Sequence, residues 1–152
     1  MDEQAKKIYE GICTALDNRK WYYDRDNDRL LVRFTVNGDD IPMKFIMFVE
    51  PQQQVVRAVS FLPFKVPEEK RREMAVGVCA INFRLIEGNY DFDMSDGSLC
   101  YRITVSYRAS EIGDGLFQRM ISMGCAAVDK YNDRFLALSK GYLTLENFLK
   151  LP

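Results

Sequence analysis

An alternating acidic run comes closest to a metal-binding motif in this sequence. Asp91, Asp93 and Asp96 precede Gly97, much as the carboxylates of a calcium loop precede its glycine. An EF-hand loop has glycine at its sixth position and glutamate at its twelfth, and it lies between two helices. Counted from Asp91, those positions hold Asp96 and Arg102, so the spacing favours a hairpin turn over a calcium site. A second run has the same defects and is also predicted to be a solvated turn; it consists of Asp24, Asp26 and Asp28.

The absence of histidine from the sequence limits the catalytic chemistry that the chain can perform. It excludes Ser–His and Cys–His nucleophile pairs, imidazole zinc sites and the usual general base near neutral pH. Pairs of carboxylates could still act as acid and base, but no spacing marks one pair over another. We therefore predict that the protein is not an enzyme and that it holds no cofactor and no metal ion.

The four cysteines are widely separated, and no pair has the C-x-x-C spacing of a zinc or redox site. They lie among apolar residues of predicted helices and of one predicted strand, so we predict buried free thiols and no disulfide; they are Cys13, Cys79, Cys100 and Cys125. The N-terminal residues are charged and do not resemble a signal peptide, and no run approaches the ~20 apolar residues of a membrane span. We expect a cytoplasmic protein without a membrane partner.

The charge balance argues against binding to nucleic acid. Lysine and arginine number 21 and aspartate and glutamate 22, which gives a net charge of -1. No global positive field is therefore available to hold a polyanion. The densest basic cluster, residues 65–72, is interleaved with glutamates and predicts a solvated helix face. A length of 152 residues with 47% hydrophobic residues predicts a single globular domain over residues 1–152.

Hydrophobic periodicity predicts three helices, a short final helical turn and six strands. The helices are expected at residues 3–16, 67–87 and 116–138, with the turn at 144–149. The strands are expected at residues 21–23, 30–36, 41–49, 55–62, 89–94 and 99–107. Because the strands follow one another through hairpin-like connections, they should form an antiparallel sheet. The predicted fold class is α+β, in the order α-β-β-β-β-α-β-β-α, with the helices packed on one face of the sheet.

Three glycines are predicted to mark turns or a helix end. The pairs Asn37-Gly38 and Asp96-Gly97 favour tight hairpin turns with positive φ at both glycines. Gly88 is predicted to end the second helix.

The second helix is apolar almost all round, which is unusual for a helix lying on one sheet. One side of it would suffice to fill the core of a domain this size, so the other side needs a separate cover. The loops or the last helix could supply that cover, and so could a second copy of the chain. We predict a homodimer interface, with small residues allowing close approach and an aromatic anchor; its residues are Val76, Gly77, Ala80 and Phe83.

Four segments in a fixed order resemble a bacterial family. They are the aromatic-acidic residues 21–24, the hairpin 36–45 with Gly38 and Pro42, residues 82–85 followed by 88–92, and the turn 96–97 leading into residues 101–102. With residues 129–131 of the last helix, they make the chain similar to the YbjN family, labelled as sensory transduction regulators. The resemblance implies the fold of type III secretion chaperones, which is associated with homodimers that bind other polypeptides.

The residues and the resemblance together predict a non-enzymatic protein-binding module, chaperone-like or regulatory, that acts as a homodimer. Its partner would be a polypeptide client or a regulatory protein, whose apolar segments would be buried against the sheet or in a helix groove. The alternative is a small-molecule-sensing regulatory domain with a pocket between the sheet and the helices.

Overall fold

A computed structural model describes residues 2–152, in which six strands form one sheet. The helices are α1 (Glu3–Asn18), α2 (Arg71–Arg84), α3 (Asp114–Lys140) and α4 (Leu145–Lys150), and a 3-10 turn (Glu68–Lys70) leads into α2. The strands are β1 (Asp24–Asp26), β2 (Leu31–Val36), β3 (Met43–Glu50), β4 (Val55–Phe61), β5 (Asn89–Phe92) and β6 (Leu99–Ser106).

The strands lie in the order β1-β2-β3-β4-β6-β5, and all neighbouring pairs are antiparallel. The predicted α+β class, the order of elements and the antiparallel sheet are confirmed. The central strand β4 pairs with β3 on one side and with β6 on the other, so the segment carrying α2 and β5 is inserted without breaking the ladder.

One face of the sheet supplies the core, because alternate side chains of each strand point to the same side. On β3 the inward residues Phe45 and Met47 are 2% and 0% exposed. Helices α1 and α3 cover them with apolar stripes at three- and four-residue spacing. The short helix α4 is capped by Thr144, whose hydroxyl accepts a hydrogen bond from the backbone N–H of Asn147. Each large apolar side chain buried in this way contributes about 1.5–3 kcal/mol.

The first strand begins later than its aromatic residues predict. Residues 21–23 precede β1 instead of forming it. The Trp21 ring packs against Phe34 with centroids 5.8 Å apart, and the Tyr23 hydroxyl donates to Asp17 at 2.8 Å. These two aromatic side chains therefore fasten the end of α1 to the sheet, and the prediction of a strand there is wrong.

The connection from β2 to β3 is a six-residue loop and not a tight turn at Gly38. Val36 is paired with Met43 in the register, and Gly38 does not have a positive φ. A Cβ at Gly38 would overlap the carboxylate of Asp129 on α3. The glycine is thus suited to this position by the close approach of a helix and not by turn geometry, which corrects the prediction.

The connection from β5 to β6 is a hairpin whose glycine has the predicted positive φ, but it spans residues 93–98 and is not the tight turn predicted at Asp96-Gly97. Gly97 has a φ of +78°, and its N–H donates to the carbonyl of Asp93 at 2.8 Å. A positive φ at this position favours glycine.

The helix α2 ends at Arg84 and not near residue 87 as predicted, because Leu85 is already extended. The Asn82 side chain makes two hydrogen bonds to the backbone of Tyr90 and turns the chain into β5.

Candidate protein-binding surfaces

The inner side of α2 packs against β5, α3 and α4. Met74, Val78 and Ile81 are buried there, each at most 6% exposed. Gly77 is also buried on this side: a Cβ at Gly77 would lie 3.1 Å from both Leu138 and Phe148. The small size of Gly77 therefore serves packing within the chain, and the last helices cover this side of α2.

The outer side of α2 is not covered by another element of the chain. Val76 is 48% exposed and Phe83 is 92% exposed, while Ala80 is half-buried between them and Cys79 is exposed. Their spacing places them on one stripe of the helix. We call these four residues, Val76, Cys79, Ala80 and Phe83, the α2 surface. Of the four predicted interface residues, Val76, Ala80 and Phe83 thus lie together, and Gly77 points away from them.

Ile86 extends the apolar area beyond the end of α2. It is 90% exposed and borders a shallow cavity of about 200 Å³ against Met123, Ala126 and Lys130 of α3. The predicted helix 67–87 includes residue 86. The early end of α2 releases Ile86 into the connection to β5, and the helical periodicity contained no signal for this.

The sheet face opposite the helices carries a second set of partly exposed side chains. Its central apolar residues are not among the buried residues that pack together in the core. We call this surface the open face; its residues are Leu31, Arg33, Thr35, Lys44, Ile46, Phe48, Glu50, Arg57, Val59, Phe61, Asp91, Cys100, Arg102 and Thr104. The strand pattern predicts that such a face exists, but not how its charges are paired.

All four cysteines are free, and only Cys13 is buried in full as predicted. Cys13 is buried, Cys100 and Cys125 are half-buried, and Cys79 is exposed. Burial raises the pKa of Cys125 to about 11 and also raises the pKa of Cys13 and of Cys100. The prediction of a buried thiol is wrong for Cys79, because it lies on the uncovered side of α2.

The acidic run before Gly97 is engaged in its own turn. Asp93 accepts from the N–H and the hydroxyl of Ser95, and Asp96 accepts from those of Ser98. These bonds lower the pKa of both carboxyls, and Lys65 lowers the pKa of Asp96 further. Among residues 2–152, no cluster of three or more metal-ligating side chains is found. The arrangement is that of a hairpin turn, as predicted.

The larger cavities are open to solvent. One of about 560 Å³ lies at the β1 end of the sheet, between Tyr22 and the side chains of Arg33, Lys44 and Ile46. Another of about 440 Å³ lies between α1 and the loop preceding α3, next to Lys7. Neither is an enclosed pocket between the sheet and the helices, which is what the alternative of a sensor domain predicts.

No helix within residues 2–152 has both the length and the apolar character needed to cross a membrane.

The sequence profile of one family matches residues 9–137, which covers the larger part of α1 and the whole sheet and reaches far into α3. That family is YbjN, described as "Putative bacterial sensory transduction regulator". The chain belongs to the YbjN family. The resemblance inferred from the four sequence segments is therefore confirmed, and the matched region includes both the α2 surface and the open face of this YbjN-family chain.

Two solved structures share the fold. The crystal structure of YbjN from E. coli, described as "a putative transcription regulator", superposes with a TM-score of 0.60 and 11% identity, over 83% of this chain and 92% of that chain. A chain from the structure of the HopA1–SchA chaperone–effector complex superposes with a TM-score of 0.54 and 9% identity, over 93% and 97%. A search of curated protein sequences finds no match. The predicted similarity of this YbjN-family fold to that of a type III chaperone is confirmed.

Proposed function

We propose that this chain is a non-enzymatic protein-binding module, chaperone-like or regulatory, that acts as a cytoplasmic homodimer. Membership of a family described as regulators supports it, as does a fold shared with a chain of a chaperone–effector complex. The observation that carries the proposal is the α2 surface, where Phe83 is 92% exposed beside a half-buried Ala80.

Exposure of this surface is costly in water. Covering a side chain such as Phe83 would contribute about 1.5–3 kcal/mol, and Ile86, 90% exposed, would add a similar amount. A two-fold axis beside α2 would present the same patch twice, which is how most soluble oligomers close. The small side chain of Ala80 would let the second helix approach, and Phe83 would be the aromatic anchor.

The homodimer is tested by the mass of the protein in solution. Light scattering at micromolar concentration should give twice the mass of the 17.7 kDa chain. The variants Phe83→Asp and Ala80→Arg should give the mass of one chain, because an interface does not readily bury an unpaired charge. The control is Tyr22→Asp, since Tyr22 is 99% exposed and borders the cavity at the β1 end of the sheet, whereas α2 packs against β5 at the other end. A single-chain mass for the unmutated protein would contradict the homodimer.

Binding of polypeptides is tested by selecting a random-peptide display library against the immobilised protein. Enrichment of peptides that also bind in free form supports the proposal. If no peptide is enriched, while a mixture of small metabolites raises the melting temperature, the sensor alternative replaces it. Circular dichroism of each variant must match that of the unmutated protein, so that loss of binding is not loss of fold.

A further inference from the structure

The open face of the sheet has an apolar centre. Ile46 on β3 is directly opposite Val59 on β4, and Phe48 lies two residues along β3 on the same face. Val59 is only 8% exposed although no helix covers this face, whereas Phe61 at the end of β4 is 58% exposed. Directly opposite side chains on neighbouring strands are about 4.5–5.5 Å apart, so these residues form a continuous apolar strip across the strands.

The cations around this strip are of two kinds. Arg57 and Arg102 have carboxylate partners within the face: Arg57 lies 3.1 Å from Glu50, and Arg102 lies 2.6 Å from Asp91. Arg33 and Lys44, at the β2–β3 side, are exposed and make no salt bridge with the residues that the structure describes.

The two free cations line one concavity. Arg33, Lys44 and Ile46 border the cavity of about 560 Å³ described above, whose outer wall includes Tyr22. Asp24 also borders it and is opposite Arg33 in the register, but its carboxylate is not within salt-bridge distance of that guanidinium. The cavity is therefore bordered both by the apolar side chain of Ile46 and by two cations that have no carboxylate of residues 2–152 within salt-bridge distance.

We infer that the open face binds an extended polypeptide segment that carries both apolar side chains and carboxylates. This inference rests on the proposed protein-binding function and names the surface and the partner chemistry. Apolar side chains of the segment would cover Ile46 and Phe61, and its carboxylates would pair with Arg33 and Lys44. Pairing of this kind selects a partner and speeds its encounter more than it adds affinity. A nucleic acid fits the face less well, because its apolar strip offers no partner to phosphates and because Asp24 and Asp91 border it.

The experiment uses two labelled probe peptides with the same apolar residues, alternating with glutamate in one and with lysine in the other. Fluorescence anisotropy with the full chain should show the glutamate peptide bound at least about tenfold more tightly, and salt should weaken its binding. The double variant Arg33→Glu/Lys44→Glu should abolish or reverse this preference. Its fold should be unchanged, because neither side chain is buried or paired.

The matched control is Lys6→Glu/Lys140→Glu, which changes the net charge equally. Both lysines are exposed on helices, and neither makes a salt bridge with the described residues. This variant should keep the preference for the glutamate peptide. If it loses the preference to the same extent, net charge alone explains the binding and the inference is overturned.

Further outcomes separate this inference from the proposed function. Equal binding of the two peptides would overturn the inference. It would also be overturned if a single-stranded oligonucleotide bound more tightly than the glutamate peptide and if that binding were lost in the variant Arg33→Glu/Lys44→Glu. If peptides from the display library bind the unmutated protein and this variant equally, the protein-binding function stands and the partner lies on another surface. If no peptide of any kind binds, both are overturned.

Discussion

The carboxylate of Asp129 on α3 accepts a hydrogen bond from the backbone N–H of Asp39, with 2.9 Å between the two atoms. The bond holds the loop between β2 and β3 against the long helix. It is possible because Gly38, the preceding residue, has no side chain: a Cβ there would overlap the same carboxylate. The loop and the helix therefore fit closely at this contact, and Asn132 of α3 adds a second hydrogen bond by donating to the carbonyl of Ile41 at 3.3 Å.

The first prediction concerns this contact. Gly38→Ala should force the Asp129 side chain to rotate and break the hydrogen bond, lowering the free energy of unfolding by about 1 kcal/mol. Asp129→Ala should cost a similar amount, and the double variant should cost little more than either alone. Urea denaturation of all four proteins measures this coupling. Additive losses would show that the glycine and the carboxylate act independently.

The second prediction concerns Gly88, whose φ is +71°. A Cβ there would overlap the hydroxyl of Tyr101 and stand 2.9 Å from the carbonyl oxygen of Arg102. Gly88→Ala should therefore destabilise the protein by about 2 kcal/mol or more, since the left-handed conformation alone costs about 1–2 kcal/mol. The control is Gly115→Ala in the first turn of α3, where an added Cβ would meet nothing within 4 Å beyond its own helix backbone in the described part of the chain; it should be neutral or stabilising.

A second variant separates the two causes at Gly88. Tyr101→Phe removes the hydroxyl, which donates to the carbonyl of Glu87 at 3.0 Å, and should by itself cost about 0.5–1.5 kcal/mol. Combined with Gly88→Ala, it should recover only part of the loss, because the backbone strain and the Arg102 contact remain. Full recovery would mean that the hydroxyl overlap was the whole effect. Burial raises the pKa of Tyr101 to about 12, so its ionisation does not disturb measurements near neutral pH.

Much of this fold could be predicted from the sequence, because local patterns determine most of its elements. The alternation along β6 and the stripe on α3 need no distant partner to be recognised. The errors arise where a distant contact decides the conformation. Gly38 carries a turn signal, but Asp129, far along the chain, determines its role. Similarly, α2 ends where the Asn82 side chain binds the backbone of Tyr90, which helix periodicity cannot indicate.

The candidate surfaces were partly predictable for the same reason. Because α2 is apolar almost all round, the sequence indicated that some of its apolar residues lie outside the core, and Phe83 does lie on the exposed side. Which residues face inward depends on the position of α4, whose Phe148 contacts Gly77. The open face required the side-chain geometry as well as the strand register. The register places Arg33 opposite Asp24 although the two make no salt bridge, whereas Arg57 and Arg102 do pair with carboxylates.

The third prediction concerns pH. The Arg102 guanidinium donates two hydrogen bonds to Asp91, at 2.6 and 3.2 Å, and lowers the pKa of that carboxyl. A carboxyl whose pKa is lower in the folded state stabilises the fold above its unfolded pKa, about 3.9, and loses that contribution as pH falls through the folded pKa. Unfolding free energy should therefore fall with decreasing pH below about 4.

The variant Asp91→Asn isolates this contribution. Its unfolding free energy should lie below that of the unmutated protein at neutral pH, and the gap should narrow as the pH is lowered. Chemical denaturation across this range measures the gap directly. Asp96 also has a lowered pKa, so part of the acid dependence should persist in the variant. A gap that stays constant with pH would exclude ionisation of Asp91 as its cause.

The last prediction uses Cys79 as a reporter for the proposed dimer. Cys79 is exposed in the single chain and lies on the α2 surface between Val76 and Phe83, whereas the other three thiols are buried or half-buried, with raised pKa. Neutral iodoacetamide reacts with the accessible thiolate, so in a monomer it should modify one thiol quickly. In the dimer that thiol is covered, and the unmutated protein should react at least about tenfold more slowly than Phe83→Asp.

The carboxylate introduced at position 83 would itself slow the reaction, because a nearby negative charge disfavours the thiolate. Faster modification of Phe83→Asp can therefore only report exposure, and Tyr22→Asp should react like the unmutated protein. If Phe83→Asp reacts no faster than the unmutated protein, α2 is not at the interface.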